Sequence, residues 1–404
     1  MARRSLLPLV FLLLPIAGDS FATDYYVSSQ TGNDASSGLS PDVPWQSITR
    51  VNRAKFQPGD HILLHSGDLW REQLRPPSSG TQERPIVFSS YGPGERPILE
   101  GMHGFEAAKG ALRRSQDPTR AGDVAIDNND QSHMLYDGLE LRDVVEGLRV
   151  YVWSGAVRDI TLRNCQIQVD AAVPNGPPSA AVYANVRTGS IADFRVLANR
   201  LIPFPRGLER WGIYFAGGVQ HFQIIGNKLG PAGEDGIAVW HSAYGEINRN
   251  QGGGNGENTI DVKDSHNIVI SNNVADLDRE YNIVVHSVDS RDSTYGVRVA
   301  GNHCSRGGQG GRAFSRNRAA VRAEIWSREQ CRENCVWFGH PNQRRWSTPR
   351  KLGYIQPPDW QRSRTKASGN CAPRHLHSSR RRERHFLPFQ PPEVGFASCP
   401  CAGA

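Results

Sequence analysis

A five-residue strand pattern that settles into a period of 23 to 24 residues constrains this chain more than any other feature of its sequence. It reads small or polar, apolar, any, apolar, outward: Gly147-Leu-Arg-Val-Tyr151, Ala181-Val-Tyr-Ala-Asn185, Gly212-Ile-Tyr-Phe-Ala216, Gly236-Ile-Ala-Val-Trp240, Thr259-Ile-Asp-Val-Lys263 and Asn282-Ile-Val-Val-His286. The anchors Ile213, Ile237, Ile260 and Ile283 are 24, 23 and 23 residues apart. A second pattern follows: Ile160, Leu162, Cys165, Ile167; Phe194, Val196, Asn199, Leu201; Phe222, Ile224, Asn227, Leu229; Ile268, Ile270, Asn273, Ala275; and Val297, Val299, Asn302, Cys304. Both alternate with a period of two, which excludes a helix. Two strands per repeat, stacked in register, predict an all-β parallel solenoid with one coil per repeat.

The recurring asparagine suits a sharp turn between strands, because Asn tolerates left-handed backbone angles and its amide can bond to the Asn of the next coil. Cys165 holds that position in its own coil and reads as a buried thiol. Upstream, Ile62 and Leu64 are 24 residues from Ile86 and Phe88, so the solenoid is expected over 59–303. Ahead of it, Ile48, Val51 and Ala54 within Trp45 to Phe56 have helical spacing, predicting a short amphipathic helix across the open end of the first coil, in a cap over 23–58.

The two ends have a different character. Arg3 and Arg4 precede an apolar run from Leu6 to Ile16, with small residues at Ser20 and Ala22, which reads as a signal peptide over 1–22 and places the protein in the secreted or periplasmic space. No later apolar run reaches the roughly 20 residues of a membrane span. From Cys304 onward the chain has 19 basic and 6 acidic residues, so this segment holds +13 of a total of +7, and everything before it is net −6. The basic balance therefore says nothing about the ligand of the solenoid, and an exported protein has no evident nucleic-acid duty. Six of the seven cysteines also fall in 304–404. That composition suits a disordered or frame-shifted tail better than a disulfide domain or a zinc module around Cys331, Cys335 and His340, and no sheet is expected past Asn302.

The opening motifs carry a resemblance. Asp24-Tyr-Tyr-Val-Ser, Gly32-Asn-Asp, Gly38, Pro41, Pro44-Trp45, Pro58-Gly-Asp60 and Ser66-Gly-Asp-Leu-Trp70 resemble the N-terminal cap of right-handed parallel β-helix proteins of the pectate-lyase-like superfamily. The resemblance, over residues 24 to 303, implies that fold. It implies no single reaction, since the superfamily holds lyases, hydrolases, esterases, epimerases and adhesins.

Stacking the coils places Tyr151, Asn185, Ala216, Trp240, Lys263 and His286 in one outward column and Arg149, Tyr183, Tyr214, Ala238, Asp261 and Val284 in a second, with His241 and Asp264 in the bordering turn. Neighbours in a column lie about 4.8 Å apart, close enough to act on one sugar. Tyr183, Tyr214 and Trp240 offer ring faces to pyranoses, and Arg149 and Asp261 offer polar contacts. If desolvated, Lys263 could take the proton α to a uronate carboxylate, with His286 or His241 assisting. The plainer alternative is a solvated lysine and a binding strip without chemistry.

Gly256 to Asn267 resembles the stretch around the catalytic lysine of alginate and chondroitin lyases of this fold. That resemblance implies a calcium site, to which Glu257 would contribute, and an arginine one coil later. Asn258 is neutral where an acid is expected, and Asn282 to His286 contains no arginine. A hydrolase would need two carboxyl groups roughly 5 to 9.5 Å apart, for which Asp261 and Asp264 are the nearest pair, with Glu234 and Asp235 one coil away. The sequence thus points to a monomeric exported β-helix that binds acidic polysaccharide and cleaves it by β-elimination at Lys263. Its rivals are a non-catalytic glycan-binding protein and a glycoside hydrolase.

Overall fold

The computed structural model describes residues 22–101, 124–128, 130–169, 179–203, 210–288 and 294–305, together with the backbone of 322–325 and 336–338. All of them fall in the first of two units, Met1–Pro349; the signal-peptide reading over 1–22, its last residue apart, and the second unit, Arg350–Ala404, lie outside the described residues.

Every strand pair is parallel, and the strands form three sheets of 12, 9 and 8 members among the described residues. The anchors stack as the period requires. Ile213 pairs with Ile237, Ile237 with Ile260 and Ile260 with Ile283, and all four are fully buried. A parallel strand needs a long crossover to reach its neighbour, and here the other two strands of the same coil supply it. The interior is a continuous apolar column in which Phe88 stacks on Tyr136 and Phe194 on Phe215.

The asparagine ladder runs from Asn199 to Asn302. Each Nδ2 donates to the Oδ1 of the next rung at 2.9 to 3.0 Å through Asn227, Asn250 and Asn273, and also to a strand carbonyl of the preceding coil. Asn250 is a rung that the sequence pattern had passed over. One detail differs from expectation. The left-handed residue is the one before the rung, Asn164, Ala198, Gly226, Arg249, Asn272 or Gly301, while the ladder asparagines keep negative φ. The rung is therefore selected by its paired donor and acceptor rather than by backbone tolerance. Cys165 is buried and its backbone N–H donates to Asn199 Oδ1, so it ends the ladder; burial pushes its thiol up to about 12.

Where a glycine opens a strand of the third sheet it has a steric cause. A Cβ on Gly212 would collide with the Gly236 carbonyl of the next coil, and one on Gly147 with the Ala181 carbonyl.

Two boundaries move. The first sheet begins with Asp24–Val27, paired to His61–His65, so the cap contributes a strand of its own. Its helix is a single turn, Ile48–Asn52, N-capped by the Ser47 hydroxyl, with Ile48 and Val51 buried. Asp68 ties the cap down by accepting from Ser28 Oγ and Gln30 Nε2. At the other end the sheets continue past Asn302. His303–Ser305, Arg322–Ile325 and Val336–Phe338 each add a parallel strand to one sheet. The last regular coil would otherwise present a row of unpaired backbone groups, which any extended segment can satisfy.

Candidate functional site

The outer face of the third sheet brings the two columns together around Asp261. Ala238 pairs with Asp261, Trp240 with Lys263 and Lys263 with His286, which puts these side chains one coil apart. Trp240 lies under the lysine, with Lys263 Nζ 3.0 Å from its ring centroid, a cation–π contact. The same indole donates from Nε1 to Asp261 Oδ2 at 2.9 Å. His286 Nε2 lies 2.9 Å from Asp261 Oδ1, an ion pair when the imidazole is protonated.

Asp261 is only 5% exposed. Burial alone would raise its pKa, but His286, Lys263 and the Trp240 N–H outweigh burial and hold the carboxyl below the usual range. Lys263 is lowered from its ordinary value because burial outweighs the pull of Asp261, Asp264, Asp235 and Glu257.

A second set of carboxyls surrounds this centre. Glu234, Glu257 and Glu280 occupy the same position in three successive coils, the N–H of Glu257 donating to Glu234 O and that of Glu280 to Glu257 O, each at 3.0 Å. Burial, then Glu234, Glu280 and Asp261, push Glu257 up to about 7 against a smaller opposing pull from Lys263. Burial likewise raises Glu280, against a smaller pull from Arg279. Buried Asp235 is held well above the carboxylate range by burial first and then by Asp261 and Glu257.

The other expected residues are distributed as follows. His241 sits exposed in a left-handed turn, its backbone N–H donating to Lys263 O, and it is His286 that reaches Asp261. Asp264 accepts from the Val288 N–H at 2.7 Å. Arg149 lies four strand pairings from Asp261, in an ion pair with Asp127 at 2.9 Å. Tyr183 and Tyr214 have ring centroids 5.6 Å apart, and Tyr214 meets Trp240 edge-on at 4.8 Å. Trp211, absent from the sequence reading, stacks on Tyr214 at 4.2 Å and completes an apolar cluster outside the core. The glutamate column was also missed, although its 23-residue spacing was legible.

Glu257 does not stand in a metal-binding arrangement. Among the described residues no three or more His, Cys, Asp or Glu are grouped to hold an ion. Neighbouring Asn258 spends Nδ2 on Asp235 and Oδ1 on the Tyr281 N–H. The described residues do not fit the calcium site that the lyase resemblance implied.

No protein-family profile matches the chain. A lacto-N-biosidase of Bifidobacterium longum subsp. longum is 37% identical over 86 residues, 20% of this chain and 5% of that protein. The GH136 lacto-N-biosidase from Eubacterium ramulus superposes with a TM-score of 0.56 at 19% identity, covering 69% of this chain and 55% of that one. Its native form gives 0.55 at 18% over the same shares. The chain spans about half the length of these solved structures and one-twentieth of the curated relative. At such identity the structural likeness shows the fold alone. That fold is a right-handed parallel β-helix.

Proposed function

We propose that this β-helix is a carbohydrate-active enzyme of the secreted or periplasmic space that hydrolyses glycosidic bonds in neutral glycans. Glu257 is the general acid and Asp261 the ionised carboxylate. The observation that carries the reading is the arrangement of two carboxyls four residues apart, Asp261 buried against the Trp240 N–H and His286, and Glu257 lined up with Glu234 and Glu280, which pushes Glu257 up and holds Asp261 down. Pairs of carboxyls pushed apart in this way divide acid and nucleophile or base roles. Glu257 gives its proton to the glycosidic oxygen as the bond to the anomeric carbon breaks. Asp261 faces the positive charge that builds on that carbon, and water supplies the hydroxyl while its remaining proton restores Glu257. The curated relative is a lacto-N-biosidase, so glycans containing lacto-N-biose are the first substrates to assay.

Electrostatics turn this reading away from an acidic polysaccharide. Lys263 lies among Asp235, Glu257, Asp261 and Asp264, of which Asp261 is held in its ionised form, and a uronate would bring a further carboxylate beside it. Like charge at a binding surface costs affinity and slows encounter. Elimination at Lys263 stays as the second reading because the lysine is partly desolvated under Trp240 and its pKa is lowered.

Incubation with lacto-N-biose oligosaccharides, other neutral oligosaccharides and polyuronates, with reducing ends and unsaturated-uronate absorbance followed together, separates the two. Hydrolysis predicts new reducing ends from neutral glycans without unsaturation, complete loss in Glu257→Gln, and partial activity in Lys263→Ala. Unsaturated products that vanish in Lys263→Ala would establish elimination instead.

A further inference from the structure

Beside the carboxyls, the outer apolar cluster buries Ala180, Trp211 and Ala238 and leaves Tyr183, Tyr214 and Trp240 partly exposed. Trp211 is 4% exposed, and its Nε1 is sealed from solvent with no hydrogen-bond partner among the described residues. The other well-covered indoles satisfy theirs. Trp45 donates to Ser36 O at 3.0 Å, Trp70 to Gln46 O at 2.8 Å and Trp240 to Asp261 at 2.9 Å. A buried donor without an acceptor is unfavourable, and a phenylalanine would fill similar space without it. On the adjoining strand, Ser179 is 3% exposed and its hydroxyl is likewise buried, with no hydrogen-bond partner among the described residues. Ser179 is in register with Arg210, and Ala180 with Trp211.

We propose that the Trp211 N–H and the Ser179 hydroxyl form a further subsite, on the N-terminal side of Lys263, for an uncharged acceptor oxygen of a neutral oligosaccharide. This rests on the glycan reading of the same face. The strand of Trp211 is two pairings from that of Lys263, about 10 Å at 4.8 Å per step, a span that a chain of sugar rings bridges and a single sugar at the carboxyls does not. Both donors are neutral, so each suits a hydroxyl or carbonyl oxygen better than an anion that would have to be desolvated beside them. Tyr214 stacks on Trp211 and is only partly buried, so binding turns its ring aside and brings the sugar's polar edge to the indole N–H while Tyr183 and Trp240 cover its apolar face.

The test titrates the hydrolysis-disabled Glu257→Gln protein, labelled with 15N-tryptophan, with a lacto-N-biose-containing tetrasaccharide. The Trp211 indole resonance, identified by its loss in Trp211→Phe, is expected to shift on saturation. In the same background Trp211→Phe should weaken tetrasaccharide affinity about tenfold, the worth of one buried hydrogen bond, and should not lower Tm. Ser179→Ala should weaken it in the same direction. Binding of the tetrasaccharide with an unmoved Trp211 resonance, or with unchanged affinity in Trp211→Phe, would overturn the subsite and leave the hydrolase reading standing. Should Trp211→Phe fold poorly, the resonance shift in the unsubstituted chain decides. If the tetrasaccharide is neither bound by Glu257→Gln nor cleaved by the unsubstituted protein, the neutral-glycan reading falls and the subsite falls with it.

Discussion

Replacing Glu257 by glutamine should make the protein more stable and less active at once. In an unfolded chain this carboxyl titrates near 4.5, and in the fold burial and its acidic neighbours push it to about 7. A raised carboxyl pKa means that the fold favours the protonated form. The penalty for ionisation is therefore absent below the unfolded value, grows as pH rises through the interval up to the folded value, and is complete above it. For a fully desolvated group a rise of this size would correspond to about 3 kcal/mol; Glu257 is only half buried, and solvent screening reduces this to about 1–2 kcal/mol. Glutamine keeps the shape and cannot ionise. Urea unfolding should then find Glu257→Gln about 1–2 kcal/mol more stable than the parent at about pH 8, with no gain at about pH 4. Hydrolysis should be lost at both. In the parent, activity should decline as pH rises past about 7, because the acid is then deprotonated before it meets the glycosidic oxygen. A glutamine variant equally stable relative to its parent at both pH values would mean that the Glu257 carboxyl is not perturbed. A variant that hydrolyses at the parental rate would mean that the proton comes from another group.

Trp240→Phe keeps a ring under Lys263 but removes the N–H from Asp261, so the Asp261 pKa should rise and the low-pH limb of the activity profile should move to higher pH; an unmoved limb would show that the indole does not tune this carboxylate. Asn250→Ala removes four buried hydrogen bonds, two received from Asn227 and two given to Ile224 O and Asn273, and should cost about 3–4 kcal/mol in urea unfolding; a loss under about 1 kcal/mol would mean that the ladder is not a stabilising element. Asn250→Asp should be worse at neutral pH than in acid, because an ionised carboxylate would face the Ile224 carbonyl and the Asn273 oxygen; thermal melts across pH check the sign.

Much of the fold was legible because stacking turns a one-dimensional period into a three-dimensional column. Residues one coil apart in sequence become neighbours about 4.8 Å apart, so reading Ile213, Ile237, Ile260 and Ile283 as anchors already specifies their pairing. The same logic put Trp240, Lys263 and His286 side by side. It fell short where the spacing is irregular or the pairing involves backbone alone. The coils from Gly147 to Gly212 are longer than 24 residues, and neither the strand at Asp24–Val27 nor those past Asn302 has the alternation used to find the others.

The sequence by itself determined the architecture: a parallel solenoid, its inward anchors, its asparagine turn and the face on which aromatic, basic and acidic side chains gather. Only the tertiary structure decided which of those side chains work together. It set Asp261 between an indole N–H and an imidazole, lined Glu257 up with Glu234 and Glu280, and left the Trp211 N–H without an acceptor among the described residues. Periodicity is a local property that stacking carries over unchanged. Proton affinity and hydrogen-bond satisfaction depend on burial and on distances across coils, which no repeat encodes. The sequence picked out Lys263 by its column, and the folded chain surrounded it with the displaced carboxyls on which the proposed hydrolysis rests.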